Sequence, residues 1–290
     1  MATGNTTTDA LADSLPTMIA AARVVNEYEG VMNQLCDKVS LGEGTGLAWT
    51  EISMEKLTAQ AVTELTILDN AQQAVDTPLS ITPSLIGLQT IVTDRVAARL
   101  SKVAYGKLGG LAQNAMMRKL DIDGLVVLDG ATTSLSGTGT TLVSGVIAAA
   151  GARITNNTVE AGPRPVSFVG HGFQIKDLWD ELTAPVGTYP IADGLSARVY
   201  KEGYKGMING VGVFEDSNLA IVSNDTKGGV FSKMGVILVQ GRAPRTETRR
   251  EPHIGGGATS LFMYNEYAWG ERSPGNWLYE ILSDASVPTS

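Results

Sequence analysis

Two carboxylates in the stretch KLDIDGLVVLDG, residues 119–130, have the spacing of a phosphotransfer site. In an Asp-x-Asp-Gly sequence the first carboxylate can attack phosphorus while the second transfers a proton. Asp121 and Asp123 are therefore the candidate residues of a magnesium-dependent phosphatase. The same residues also have the spacing of the first ligands of a calcium-binding loop.

The surroundings of these carboxylates fit neither kind of site. A phosphotransferase of this type presents its nucleophile at the end of a buried strand, whereas charged residues interrupt any apolar strand before Asp121. A calcium loop needs an oxygen ligand at its fifth position, which here is Leu125. We therefore interpret Asp123-Gly124 and Asp129-Gly130 as two turns that follow a long helix ending at Leu120.

Other reactive side chains are few and isolated, since the chain has one cysteine and two histidines. Cys36 lies at helical spacing from apolar neighbours, which predicts a small buried hydrophobic residue. His171 follows an apolar strand without a nucleophile beside it, and His253 precedes three glycines in a predicted turn. We therefore predict no catalytic residue, no cofactor and no metal site.

The composition favours a protein whose surface is covered by neighbours. Charged residues make up 18% of the 290 residues, and 33 are glycine, so much of the surface has to be uncharged. The net charge of -8 argues against tight wrapping of nucleic acid, because phosphate contacts need clustered Lys and Arg. No signal peptide and no apolar run of about 20 residues is evident, which predicts a protein made in a reducing compartment and not inserted into a membrane.

Periodicity predicts the order of the structural elements. A mobile arm precedes a helix that begins near Ser14 and ends at Gly42 and Gly44. Residues 45–92 alternate with a period of two around Leu65 and Ile67, Leu79 and Ile81, and Ile86, Leu88 and Val92. This long β excursion has too little continuous hydrophobicity to stabilise itself, so it needs support from outside the chain.

A long helix follows the excursion. We predict that it is capped near Thr93 or Asp94 and that it bends where glycines weaken it, at Gly106, Gly109 and Gly110. An α/β region with the segments LVSGVIAAAGARI, PVSFVG and QIKDLWDEL comes next, and β-rich segments close the chain. The overall prediction is an α+β fold.

An arginine-rich run, RAPRTETRRE, lies in the closing β region. Alternating charges on an exposed strand are typical of salt bridges between subunits or of a solvated face, although a nucleic-acid patch is an alternative. The arginines concerned are Arg242, Arg245, Arg249 and Arg250.

This order of segments resembles the major capsid proteins of tailed double-stranded DNA bacteriophages, which have the HK97-like shell fold. MIAAARVVNEYEG is similar to the N-terminal arm helix, ITPSLIGLQTIVTD to the return strand into the spine helix, and PVSFVGHGFQIKDLWDEL to the axial-domain strand and helix. YKGMINGVGVFEDSNL and NWLYEILSDAS resemble further strands of that fold.

The resemblance implies four parts of the chain. Residues 1–44 are the N-terminal arm and helix, 45–92 the extended loop, 93–129 with 236–290 the peripheral domain, and 130–235 the axial domain. The subunit would assemble as hexamers and pentamers in a shell around packaged double-stranded DNA, with a scaffolding protein and a portal as partners. It would be assembled in the host cytoplasm and reside in the virion capsid.

Candidate contacts between subunits follow from this resemblance and from the arginine run. They are Trp49, Lys56, Leu65 and Ile67 in the loop and Arg242, Arg245, Arg249 and Arg250 near the end, while Gly106, Gly109 and Gly110 are candidates for flexing of the spine helix. One family member cross-links its subunits through a loop lysine, but Lys56 has no matching acceptor in this sequence, so that chemistry is not inferred. An encapsulin, a cellular compartment with the same fold, is the alternative shell, and a phosphatase is the alternative from another class.

Overall fold

The computed structural model describes residues 27, 30–65, 67, 71–99, 102–183 and 206–288. Most of the predicted N-terminal helix lies outside these residues. Among the described residues, Gly30 and Val31 are not helical, and a single turn, α1 (Met32–Leu35), precedes extended chain at Cys36. The helix therefore does not continue to Gly42, because the strand β1 (Asp37–Ser40) pairs in parallel with a strand from the end of the chain.

A four-stranded sheet forms one half of the body, in the order β1, β11, β12, β4. Its strands are β4 (Ser84–Thr93), β11 (Val236–Glu251) and β12 (Ala258–Glu271), with β1 at one edge. The pairs β11–β12 and β12–β4 are antiparallel. β4 contains the predicted alternation at Ile86, Leu88 and Val92, so that prediction is confirmed.

A second, larger sheet forms the other half, in the order β5, β13, β10, β6, β8, β7, with β9 also paired to β10. Two helices, α4 (Ser144–Thr155) and α5 (Gly172–Thr183), contribute buried side chains to its core. The predicted elements LVSGVIAAAGARI, PVSFVG and QIKDLWDEL are confirmed as α4, β6 and α5. The strands are β5 (Ser134–Ser136), β6 (Val166–Gly170), β7 (Met207–Ile208), β8 (Val211–Glu215), β9 (Ile221–Val222), β10 (Asp225–Ser232) and β13 (Leu278–Asp284).

A two-stranded hairpin of β2 (Trp49–Met54) and β3 (Asp76–Ile81) pairs with neither sheet. Its base contacts the four-stranded sheet, where Ile81 packs with the buried Ile237 and Val239. β3 contains the predicted alternation at Leu79 and Ile81. The described residues between the strands, 55–65, 67 and 71–75, form no strand, so the alternation at Leu65 and Ile67 predicted one wrongly.

The long helix begins as predicted and ends later than predicted. The hydroxyl of Thr93 accepts a hydrogen bond from the backbone of Val96 at 3.5 Å, which caps α2 (Asp94–Arg99). The next helix, α3 (Lys102–Asp129), continues nine residues past the predicted end at Leu120. Of the two predicted turns, only the one at Asp129-Gly130 exists.

Close contact with the four-stranded sheet explains why α3 continues through Gly124. A Cβ atom at Gly124 would lie 3.0 Å from the Trp269 ring and 3.1 Å from Cβ of Met32. The glycine therefore lets the helix approach the sheet, and Leu125 and Leu128 beside it are buried. Burial of such side chains contributes about 1.5–3 kcal/mol each, more than the roughly 1 kcal/mol that a helical glycine costs.

The predicted flex positions lie inside this same helix. Gly106, Gly109 and Gly110 all belong to α3. A Cβ atom added at Gly109 or at Gly110 would meet no neighbouring atom within 4 Å. Bending at these glycines stays a prediction.

Alanine substitutions at two glycines of α3 separate helix propensity from contact with the sheet. Gly109→Ala should raise the free energy of unfolding by roughly 0.5–1 kcal/mol, because alanine favours the helix and meets no neighbour. Gly124→Ala should lower it by about 1–3 kcal/mol, because Trp269 and Met32 are fixed by their own contacts. Denaturant unfolding of the unassembled subunit measures both, and equal changes in the two variants would contradict this account.

Candidate interaction surface

The candidate phosphatase residues point away from each other. Residues two apart on a helix are rotated by about 200°. The Asp121 carboxylate is buried and accepts hydrogen bonds from the backbone N–H of Met32 at 3.1 Å and from the Asn218 amide at 2.9 Å. Asp123 accepts a hydrogen bond from the Tyr267 hydroxyl at 2.9 Å instead. The two carboxylates thus cannot act on one phosphate, and their position inside a helix gives the phosphatase interpretation no support.

Cys36 and the two histidines have the structural surroundings that the sequence predicts. Burial raises the pKa of the Cys36 thiol to about 11, so the thiol is poorly reactive near neutral pH. His171 is buried, accepts a hydrogen bond from the backbone of Phe173 at 3.2 Å, and has its pKa lowered mainly by burial. His253 lies in an exposed turn.

The described part of the chain offers neither a metal-binding cluster nor a membrane span. Among the described residues, no three His, Cys, Asp or Glu side chains are grouped in a way that could hold a metal ion. Within that part of the chain, no helix combines the length and the hydrophobicity needed to cross a membrane.

The end of the hairpin exposes apolar side chains to solvent. Leu65 is 94% exposed and Ile67 is 81% exposed, and Leu57 and Val62 are also largely exposed. Lys56 does contact its own chain, since its ammonium group donates a hydrogen bond to the carbonyl of Thr158. We call the described residues 55–65 and 67 the hairpin tip. The tip carries the acidic residues Glu55 and Glu64 besides its apolar ones.

The base of the hairpin is held by Arg272, a residue that the sequence did not single out. Its guanidinium lies 2.7 Å from the carboxylate of Glu51 in β2 and 2.9 Å from that of Asp37 in β1. It also donates to the carbonyl of Met234 at 2.9 Å and lies 5.9 Å from the centre of the Trp49 ring. One arginine at the end of β12 therefore connects the hairpin to β1, and Trp49 packs inside the subunit at this point.

The arginine run lies along an edge of the four-stranded sheet. β1 covers β11 only at residues 237–240, and no other described strand pairs with that side of residues 242–250, which are all exposed. The arginines have partners within the chain. The ion pairs are Arg245 with Glu247 at 3.2 Å, Arg249 with Glu251 at 3.2 Å, Arg242 with Glu266 at 3.9 Å, and Arg250 with Asp94.

The pair of Arg250 with Asp94 fixes the end of β11 to the start of α2. Hydrogen bonding to Arg250 lowers the pKa of the Asp94 carboxyl group, and the same contact raises the pKa of Arg250. Both side chains are about half exposed, so solvent screens the pair and it adds little to stability.

A shallow groove of about 270 Å³ lies beside the arginines on the face of this sheet. The ring of Tyr264 lines it, and the Arg245 guanidinium lies 5.3 Å from the centre of that ring. Leu85, 66% exposed, also lines it, as do Arg242 and Glu266. We call this the Tyr264 groove. It combines apolar surface with two arginines and one carboxylate, that of Glu266.

Three features are those of the HK97-like shell fold. A hairpin stands apart from both sheets, a long helix packs between the sheets, and the segment with α1 packs against that helix. Comparison with solved structures bears this out over nearly the whole chain. A chain from Mycobacterium phage Che8 is 16% identical with a TM-score of 0.69, covering 92% of this chain and 96% of that one.

Two further structures give the same result. The mature capsid of bacteriophage PhiM1 is 14% identical with a TM-score of 0.68, covering 94% of this chain and 93% of that one. The capsid of Cyanophage P-SCSP1u is 11% identical with a TM-score of 0.71, covering 96% of this chain and 94% of that one. No protein-family model and no curated protein matches the sequence. The chain therefore has the fold of phage capsid proteins with a sequence far from theirs.

Replacement of Arg272 tests whether it holds the hairpin base. Arg272→Gln leaves the carboxylates of Glu51 and Asp37 without their cation, so the free energy of unfolding should fall by about 2–3 kcal/mol. The matched control is Arg242→Gln, whose pair is long and exposed and should cost less than about 1 kcal/mol. Denaturant unfolding measures both variants. If Arg242→Gln cost as much as Arg272→Gln, the assigned role of Arg272 would be wrong.

Proposed function

We propose that this protein is the structural subunit of the icosahedral capsid shell of a tailed phage, assembled as hexamers and pentamers around a double-stranded DNA genome. The observation that carries the proposal is the likeness of fold to phage capsid chains along both entire lengths. A fold shared at this level of identity does not by itself assign a function. The exposed surfaces of this chain supply the second argument.

The hairpin tip is the first of these surfaces. Its apolar residues Leu57, Val62, Leu65 and Ile67 are exposed in the single subunit, and a two-stranded hairpin of this kind is not stable alone in water. A neighbouring copy that covers the tip would bury these side chains and supply the missing support. This matches the extended loop of the shell fold, with residues 45–92 as the proposed loop.

The Tyr264 groove is the proposed place where a neighbour's tip lies. The groove is lined by Leu85, Tyr264, Arg242, Arg245 and Glu266, so arginines outnumber carboxylates there, while the tip carries two glutamates, Glu55 and Glu64, and one lysine, Lys56. Opposite charges would orient the tip, and the apolar contacts would supply the affinity. Arg249 and Arg250 lie further along the same strand, and we propose that they extend this contact.

The remaining parts of the proposal follow from the fold. The peripheral domain comprises 93–129 and 236–290, the axial domain 130–235 and the arm 1–44. A net charge of -8 suits a lining that encloses packaged DNA without gripping it. A scaffolding protein and a portal are the proposed partners, and the virion capsid, assembled in the host cytoplasm, is the proposed location. Bending at Gly106, Gly109 and Gly110 would let the spine helix change shape between shell states.

Electron microscopy of the full-length protein tests the assembly, and analysis of the particle contents tests the kind of shell. We expect closed particles with hexamers and pentamers, and in infected cells a genome length of double-stranded DNA. Particles that hold an enzyme in place of DNA would identify the encapsulin alternative. A protein that stays monomeric under all assembly conditions would contradict the proposal.

Charge at the hairpin tip should block assembly without unfolding the subunit. Leu65→Asp and Ile67→Asp place a carboxylate where we propose an apolar contact with a neighbour, so assembly should fall by roughly tenfold or more, which corresponds to about 1.4 kcal/mol per contact. The unfolding free energy should change by less than about 0.5 kcal/mol, because both side chains are exposed in the subunit. Light scattering and denaturant unfolding give the two values. Leu65→Met is the matched control and should assemble normally.

A further inference from the structure

Two buried carboxyl groups face each other where the N-terminal segment meets the body. Asp121 is on α3 and Asp216 follows β8, and both side chains are buried. The Asp216 carboxylate accepts hydrogen bonds from the backbone N–H of Val31 at 3.1 Å and from that of Asn218 at 2.9 Å. The two carboxyl groups lie close together, because adjacent backbone N–H groups bind one each and Asn218 contacts both. Two buried carboxyl groups this close repel each other when both are ionised, which favours a proton on one of them.

The same two carboxyl groups hold the segment that leads into α1. Asp121 accepts from the backbone of Met32 while Asp216 accepts from that of Val31, so adjacent N–H groups of one segment are fixed by the pair. Gly30 lies directly against Asp121, since a Cβ atom there would overlap the carboxyl carbon. The side-chain amide of Asn218 closes the arrangement at 2.9 Å from Asp121.

We propose that Asp121 and Asp216 form a proton-dependent anchor that holds residues 30–32 on α3 when one proton is shared and releases them when both groups are ionised. The proposal goes beyond the function proposed above, because it concerns the single subunit and its N-terminal segment. It assigns Asp121 a conformational role in place of the catalytic one that its spacing from Asp123 indicates.

The direction of the pH dependence follows from the surroundings of Asp216. Burial, and next the charge of Asp121, raise the pKa of Asp216 from 3.8 to about 7, although hydrogen bonds from Asn218 and Val31 oppose the rise. In the released state the pKa is the ordinary one, so the anchored state binds the proton more tightly. The anchor is therefore fully stabilised below the ordinary pKa, weakens as the pH rises from there, and has lost this stabilisation above about 7.

Other charged groups face this site from the elements around it. Glu27 forms an ion pair with Arg118, three residues before Asp121 on α3, at 3.1 Å. Glu215 precedes Asp216; burial lowers the pKa of His171, just before α5, and the charge of Glu215 opposes that lowering. The buried His171 gives a pH dependence of the opposite sign, because a histidine whose pKa is lowered by burial destabilises the fold when acid protonates it. The two effects can therefore be distinguished by direction.

Hydrogen exchange of the full-length subunit tests the anchor. The peptide that contains residues 30–36 should open more as the pH rises, by about tenfold per pH unit between roughly pH 5 and pH 7 after correction for intrinsic exchange, and should level off above that range. Asp216→Asn carries no charge at any pH and should remove this slope. Asp129→Asn, a surface change on the same helix, should keep it.

Three outcomes would overturn the proposal: a flat profile in the unchanged protein, the unchanged slope in Asp216→Asn, or a slope of the opposite sign. If Asp216→Asn does not fold, infrared difference spectra of the unchanged protein decide instead. They should show the carbonyl band of a protonated carboxyl group that disappears with a midpoint near pH 7, and absence of that band would overturn the proposal.

Discussion

Burial of the C-terminal half of α3 between two sheets is the contact on which the rest of the structure depends. Leu120, Leu125 and Leu128 share one core with residues of both sheets, among them Phe231 of β10 and Leu238 of β11. Glycines bring the layers together on each side, since Gly124 lies against Trp269 and Gly229 lies against Leu128. The helix is therefore the common wall of both halves, and every other element is positioned relative to it.

The hairpin and the N-terminal segment are attached to this body by apolar packing at Ile81 and Met32 and by a few polar contacts. Arg272 connects β2 and β1 to the end of β12, and the Asp121–Asp216 pair holds the segment before α1. Both attachments are largely excluded from solvent, where a charge-assisted hydrogen bond is stronger and more directional than at the surface. Beyond its base, the hairpin leaves Leu57, Val62, Leu65 and Ile67 exposed to solvent.

Periodicity predicted the regular elements well and failed where contacts distant in sequence decided the structure. The period of two in residues 79–92 identified β3 and β4, and the helical segments α4 and α5 were also predicted correctly. Asp123-Gly124 was predicted as a turn because Asp-Gly pairs are typical of turns, yet the helix continues through it to Asp129. The helix continues because of contacts with Met32, Asn218 and Trp269. Met32 and Asn218, which donate hydrogen bonds to Asp121, are 89 and 97 positions from it along the chain.

The candidate sites show the same limit. Local sequence predicted the exposure of Leu65 and Ile67, because an apolar residue among polar ones in a long loop has few neighbours of its own. It also predicted that the arginines lie on a strand. Arg272 was missed because its partners Glu51 and Asp37 are 221 and 235 positions distant. The division into four domains and the contacts between subunits stay predictions.

The exposed edge of β11 carries features that disfavour uncontrolled strand pairing between copies of the subunit. Residues 242–250 leave one row of backbone groups unpaired by any described strand, which is a hazard for open-ended sheet pairing between copies. Pro244 removes one donor from this strand, and the pairs of Arg245 with Glu247 and Arg249 with Glu251 place charges along it. Such features disfavour strand addition because charges would have to be desolvated. The contact that we propose for the hairpin tip is made by side chains and therefore does not need this strand edge.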